Sequence, residues 1–335
     1  MKLKKFLLIN TLLITTALSG CQKETPEYQQ SSPVTSEQSQ SMEEDTSTET
    51  NKEKEVTQKP EDTLLTEEKS ETKASPYLME TPPFVYYIAD GIEDTLTTPL
   101  KLTELSAKKN EITDDAEWIS VNNLIMNTYP VSDLRLSGNA SLPQEIAVTW
   151  NDFILTAAFY DDSYIYCIYG ENDFEGRMLT IYEADSYKEV YCIDFSNYSY
   201  SPEYKESDYD FIFQEINGAA IKDNILYVSH SHTTYAESSY GMNAYVTAIN
   251  LSDMKLLWRS EALVSNAYNI LLMDNVIICG YGFTNEADYL YQLDRMTGKV
   301  IEKTPLASAA SYIIAKEDKL YVRTYHTDYV FQVSQ

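Results

Sequence analysis

Residues 293–303 read Leu-Asp-Arg-Met-Thr-Gly-Lys-Val-Ile-Glu-Lys, and residues 249–259 read Ile-Asn-Leu-Ser-Asp-Met-Lys-Leu-Leu-Trp-Arg. In each, an apolar run ends at a polar turn and a second apolar run follows. A third copy runs from residues 178–182 through Asp185-Ser186-Tyr187-Lys188 into residues 189–195. Asp, Asn and Gly tolerate left-handed dihedrals and bond their own backbone, so each stretch is expected to be a β-hairpin. Upstream of each copy lies a simpler hairpin, turning at Trp150-Asn151-Asp152, Lys222-Asp223-Asn224 and Asp274-Asn275. A fourth simple hairpin turns at Lys316-Glu317-Asp318. Two hairpins per unit make four strands, and such units recurring along a chain signal a repeat architecture.

The two quoted stretches resemble the repeat of quinoprotein-like (PQQ-like) β-propellers, roughly hydrophobic-Asp-x-x-Thr-Gly-Lys-x-x-Trp. The match is good over residues 218–335, fainter over 146–195 and absent over 76–145. The resemblance implies an all-β fold, a β-propeller of about five, or six, four-stranded blades, one of them degenerate within residues 92–145. A two-sheet sandwich is the competing fold. The fourth unit stops short, with runs at 320–322 and 329–333, and a closed ring needs an outer strand from elsewhere. Residues 84–88, Phe-Val-Tyr-Tyr-Ile, are the expected donor. The stretch 100–109 is the one place where a helical stripe suggests itself.

The N-terminus belongs to a different regime. Lys2, Lys4 and Lys5 precede an apolar run over residues 6–18, and the run ends in Leu18-Ser19-Gly20-Cys21. This resembles the lipobox of bacterial lipoproteins, which implies diacylation of the Cys21 thiol and cleavage between Gly20 and Cys21. Two acyl chains suffice for stable anchoring, so the expectation is an extracytoplasmic protein held to a membrane by its lipid (palmitate or a similar acyl chain). Residues 1–20 are then a signal peptide. Residues 21–75 are the lipidated cysteine and a linker with fourteen acids, six lysines and abundant Ser and Thr. It is too polar to bury a core and is expected to be disordered. Residues 76–335 are the propeller domain.

The chain carries a formal net charge of −27, and loss of residues 1–20, with three lysines and no acids, takes it to −30. Charge of that sign excludes nucleic acid as a partner. Beyond Cys21, the odd set Cys167, Cys192 and Cys279 has no metal-ligand spacing. Buried free thiols are expected, with one disulfide left open.

In a propeller blade, the first-to-second and third-to-fourth strand turns lie at one end of the ring and the other connections at the opposite end. The first end receives tight turns, and the second receives the long, tyrosine-rich loops. To that second end the sequence assigns Tyr160, Asp161, Asp162, Tyr198, Tyr200, Tyr204, Tyr235, Tyr240, Tyr281 and Tyr325 as candidate ligand-binding residues, since variable loops on a rigid scaffold carry function. His230, His232 and His326 are weak metal candidates, because two imidazoles at i, i+2 on a strand can share an ion but no third ligand is placed. No serine-nucleophile elbow, zinc-helix motif, phosphate loop or dinucleotide fingerprint occurs. The adjacent cysteines that hold the quinone in related dehydrogenases are absent, so no cofactor is expected. The expected role is non-enzymatic: a binding or scaffold propeller recognising a protein or a glycan. The alternative is a glycan-cleaving hydrolase with paired carboxylates in an axial pocket.

Overall fold

The computed structural model describes residues 75–129, 131, 141–173, 175–198, 201, 203–206, 213–232 and 234–335. The signal peptide, residues 21–74 and Tyr200 therefore lie outside the described residues. Strands dominate. The N-terminal part supplies β1 (Tyr77–Leu78), β2 (Tyr87–Ile88), β3 (Lys101–Lys109), helix α1 (Asp115–Val121), β4 (Thr128–Tyr129) and β5 (Thr149–Trp150). Four antiparallel meanders come next. Sheet I holds β6 (Phe153–Tyr160), β7 (Tyr164–Gly170), β8 (Met178–Glu183) and β9 (Glu189–Asp194). Sheet II holds β10 (Gln214–Lys222), β11 (Ile225–His232), β12 (Tyr245–Asn250) and β13 (Lys255–Arg259). Sheet III holds β14 (Leu271–Met273), β15 (Val276–Tyr281), β16 (Tyr289–Asp294) and β17 (Val300–Pro305). Sheet IV holds β18 (Ala310–Lys316), β19 (Lys319–Thr324) and β20 (Thr327–Ser334), and β3 is its fourth strand.

Middle strands read as unbroken apolar runs because both their faces are buried. With a side-chain period of two, Leu226 and Val228 of β11 pack with Ile168 and Leu179 of sheet I, whereas Tyr227 packs with Ile277 and Leu293 of sheet III. Ile278 and Leu290 of sheet III share a core with Ile313, Val322 and Phe331 of sheet IV. Sheets II and III thus each share one core with the sheet before and another with the sheet after. Between sheets IV and I sits a wedge instead of a sheet. Trp118 and Ile119 of α1 pack on Tyr312 and Ile314 of sheet IV. Tyr129, Ile146 and Trp150 pack on Leu155 and Tyr169 of sheet I. The arrangement is propeller-like, with the wedge standing where a further blade was expected.

The repeat motif acts between sheets. Asp294 Oδ1 accepts from the Met296 amide at 3.0 Å, the Thr297 amide at 2.8 Å and the Thr297 hydroxyl at 2.8 Å. These bonds close the turn that Gly298 completes at φ 72. The indole of Trp258, from sheet II, is buried against that glycine, and its Nε1 donates to the Arg295 carbonyl at 3.1 Å. Burial raises the pKa of Asp294, but the hydrogen bonds from Thr97 and Thr297 outweigh it and hold the carboxyl below its usual range.

Residues 77–109 form a belt across the outer parts of all four sheets. β1 pairs in parallel with β9, and β2 pairs antiparallel with β13. The Thr97 amide donates to Asp294 Oδ2 at 2.7 Å, and Gln292 exchanges two hydrogen bonds with the Leu100 backbone, each 2.8 Å. β3 then pairs with β20 from Ser334↔Lys101 to Thr327↔Lys109. At sheet II the belt is clamped by the buried Arg259, whose Nη1 donates to the Pro83 carbonyl at 3.1 Å and whose guanidinium lies 3.8 Å from the Tyr245 ring centroid.

Four expectations change here. The last sheet is completed by β3 and not by residues 84–88, of which only Tyr87–Ile88 form a strand, on sheet II. Pro82 and Pro83 lack the amide hydrogens a longer ladder needs, and the Arg259 clamp at the Pro83 carbonyl fixes this part of the belt at sheet II. The helical stripe at 100–109 is β3: a bulge at Leu105 leaves Leu102 and Ser106, four residues apart, as its half-buried positions. In sequence that spacing imitates a helix. Among the described residues there are four sheets, because the described part of the segment expected to form a degenerate blade, 92–145, is divided between β3, α1 and the short edge strand β4, with β5 a second edge strand just beyond it. Those edge strands also displace the first unit. β5 pairs only two residues of β6, so the meander starts one strand later than the sequence suggests. The three cysteines are free thiols, Cys167 and Cys279 fully buried, with burial pushing both pKa values up and Cys167 reaching about 12. Among the described residues no helix is long and apolar enough to cross a membrane.

Candidate functional site

The meanders sort the connections to two ends of the ring. At the turn end lie Asp161–Ser163, the stretch around Tyr187, Asp223-Asn224, the stretch around Met254, Asp274-Asn275, residues 295–299 and Glu317-Asp318. Asp223, Asn224, Asp274, Glu317, Tyr187 and Met254 all have positive φ, as tight hairpin turns require. At the loop end lie, among the described residues, 171–173, 175–177, 195–198, 201, 203–206, 213, 234–244, 260–270, 282–288, 306–309 and 325–326.

Tyr160, Asp161 and Asp162 belong to the turn end, not the loop end, because the first meander starts at β6. Asp161 is a turn-former: Oδ1 accepts from the Ser163 and Tyr164 amides at 2.8 Å, and Oδ2 accepts from the Tyr166 hydroxyl at 2.7 Å. Asp162 is exposed, and the half-buried Tyr160 ring lies 4.8 Å from that of Tyr129.

The loop-end tyrosines divide into buried and exposed sets. Tyr198 is a core residue, its ring 5.0 Å from both Phe195 and His230, and burial raises its pKa. Tyr204 is half-buried, its hydroxyl accepting from the Ser201 amide at 2.8 Å and its ring edge-on to His232 at 5.2 Å. Tyr281 is buried and donates to Glu286 Oε2 at 2.5 Å, while Glu286 Oε1 accepts from the Ala236 amide at 2.7 Å. Glu286 thereby ties the loop after β11 to the loop after β15. Three of the candidate tyrosines remain outward: Tyr235 is 45% exposed and set edge-on against Phe283, Tyr240 is 60% exposed, and Tyr325 is 76% exposed beside His326.

His230 is buried among Phe195, Tyr198 and the Arg259 clamp, and burial, then Arg259, lowers its pKa. His232 is buried as well, and burial lowers its pKa to about 4. His326 is exposed, with Tyr325 as its ring neighbour. Among the described residues no three His, Cys, Asp or Glu side chains converge on a metal-sized site.

Two cavities lie along the inner strands, one against β10, β14 and β18 and the other against β10 and β18. One of about 500 Å³ at the turn end is lined by Ile221, Ile270 and Ile313 with Asn127 and Tyr160. The other, about 810 Å³, opens at the loop end among Glu215, Tyr268, Phe283, Glu286, Asp288 and Tyr325. Asp288 bends back over Gly282, where a Cβ would fall 2.0 Å from its Oδ1. Burial, then the like charge of Glu286, raises its pKa, partly offset by His326. Glu215, Tyr268, Phe283, Glu286 and Asp288 were not singled out in the sequence. The pairing of Glu286 and Asp288 in one short loop was its available signal.

No family model matches this chain, and no curated protein matches it. Among solved structures, the computationally designed Ika4 protein is 11% identical with a TM-score of 0.35, over 57% of this chain and 99% of that one. BamB from Moraxella catarrhalis is 10% identical with a TM-score of 0.29, over 51% of this chain and 56% of that one. Glutaminyl cyclase from Myxococcus xanthus is 11% identical with a TM-score of 0.33, over 56% and 76% respectively.

Proposed function

We propose that this chain is an exported lipoprotein, anchored through Cys21, whose propeller is a non-enzymatic binding or scaffold module that engages a protein partner with its loop end. In this reading residues 21–75 are the tether, and the ring is a quinoprotein-like propeller with four regular blades and a wedge in the fifth position. One observation carries it: the exposed aromatics Tyr235, Tyr240 and Tyr325 share the end with the long connections, and the other end offers only tight turns. Tyrosines exposed on a rigid scaffold contribute large contact area at low entropic cost, the pattern of binding hot spots. The test is affinity capture with full-length protein. A partner retained by wild type and by Asn224→Ala, but lost by Tyr235→Ala and Tyr325→Ala, supports the reading. Equal retention by all four removes it.

A second reading, glycan cleavage, draws on Glu286 and Asp288 beside one cavity. Glu286 is engaged by Tyr281 and Ala236, which suits it to holding loops more than to moving protons. Release of reducing sugar by wild type and not by Asp288→Asn would establish that reading.

A further inference from the structure

We infer that the loop-end axial cavity is a seat for a lysine or arginine side chain of a polypeptide partner, with Asp288 meeting its charge. The inference rests on the proposed loop-end reading and specifies the chemistry of the partner. The cavity wall contains Glu215, Glu286 and Asp288 and no lysine or arginine. Glu286 is engaged by its loop contacts, but the Asp288 side chain makes no hydrogen bond or ion pair among the described residues. A carboxylate held beside another one, half-buried, with His326 as the basic group acting on it and no lysine or arginine in the cavity, gains when a stronger cation arrives from outside. The glycine at 282 is what allows it to lie there, since any side chain would collide with it.

The remaining wall fits the rest of such a side chain. Tyr268 and Tyr325 are 49% and 76% exposed and offer ring faces to methylenes and to the cation itself. His232 also contributes to the wall; it is 3% exposed, and neither ring nitrogen has a hydrogen-bond partner of good geometry. With its pKa lowered, the imidazole is neutral at pH 7 and sets no like charge against an incoming cation. A peptide fits better than a free small cation because the cavity, about 810 Å³, opens among the exposed tyrosines of the surrounding loops.

The test uses the full chain in uncharged detergent with fluorescein-labelled hexalysine, hexaarginine and hexaglycine, read by anisotropy in 0.15 M salt. Asp288→Asn is compared with Asp253→Asn and Glu317→Gln, which remove the same charge from the turn end. The expectation is binding of the two cationic peptides and not of hexaglycine, weakened about tenfold or more by Asp288→Asn and less than about twofold by the two controls. Absence of cationic-peptide binding, or equal weakening by all three substitutions, overturns the inference. Spermidine competing as well as unlabelled hexalysine overturns the choice of a polypeptide. If Asp288→Asn behaves like the controls while Tyr235→Ala and Tyr325→Ala still release the captured partner, the cationic seat falls and the loop-end reading stands.

Discussion

The contact between Trp258 and Gly298 joins sheet II to sheet III, and a double-mutant cycle measures it. In Gly298→Ala the new Cβ would lie 2.2 Å from Trp258 Cε3 and 2.8 Å from Cζ3, in a backbone conformation with φ +72. Holding an L-residue there costs about 1–2 kcal/mol. The indole is buried and has nowhere to retreat, so overpacking adds about 1–3 kcal/mol. Trp258→Ala should cost about 3–5 kcal/mol through the cavity it leaves. The double variant should cost less than the sum of the two, because without the indole only the backbone penalty at 298 remains. The expected coupling is about 1–3 kcal/mol. Urea denaturation of the four proteins, with midpoints and slopes compared, reads it directly. Additivity within about 0.5 kcal/mol would show that the indole does not rest on that turn, and the intersheet role of the repeat would be lost.

Other consequences can be tested on the same material. A chain beginning at residue 110 lacks β3 and leaves β20 as an open edge, so it should fail to give a soluble monomer; one beginning at residue 93 loses only β1 and β2 and should keep a cooperative melt at a lower temperature. Equal melting temperatures for the chains starting at 75 and 110 would refute closure by β3. His232 has a folded pKa of about 4 against about 6.5 unfolded, so the unfolded state binds the proton first. Stability should be fully present above pH 6.5 and fall by about 3 kcal/mol between pH 6.5 and 4, and His232→Gln should flatten that slope in pH-dependent melts. Cys21→Ala should abolish incorporation of a labelled fatty acid, and an unlabelled wild type would end the lipoprotein proposal.

The legible part of the sequence was local. Asp223-Asn224, Asp274-Asn275 and the turn closed by Gly298 declare themselves, because each needs a residue type that accepts its dihedrals. The four-strand unit in sheets II and III is built on them. The contributions that escaped depend on partners far along the chain. Leu102 and Ser106 look helical until the bulge at Leu105 is known, and that bulge exists only in register with β20. Tyr160 and Asp161 changed ends because two-residue edge strands moved the start of one meander, which no apolar pattern reveals. Tyr198 sits on a connection yet is buried against Phe195 and His230, and Tyr281 proves to be the last residue of β15, buried and bonded to Glu286. Asp288 became a candidate only when Glu215 of β10, Ala310 of β18 and the loop after β15 were seen to share one cavity.

The central claim is that the loop end makes the contact with the partner, and site-specific photocrosslinking in cells tests it most directly. A photoreactive residue is placed in the full chain at Tyr325 or Tyr240 at the loop end, and at Asp253 or Met296 at the turn end. The expected result is a discrete crosslinked species from positions 325 and 240 and none from 253 and 296. Crosslinks confined to 253 and 296 would contradict it.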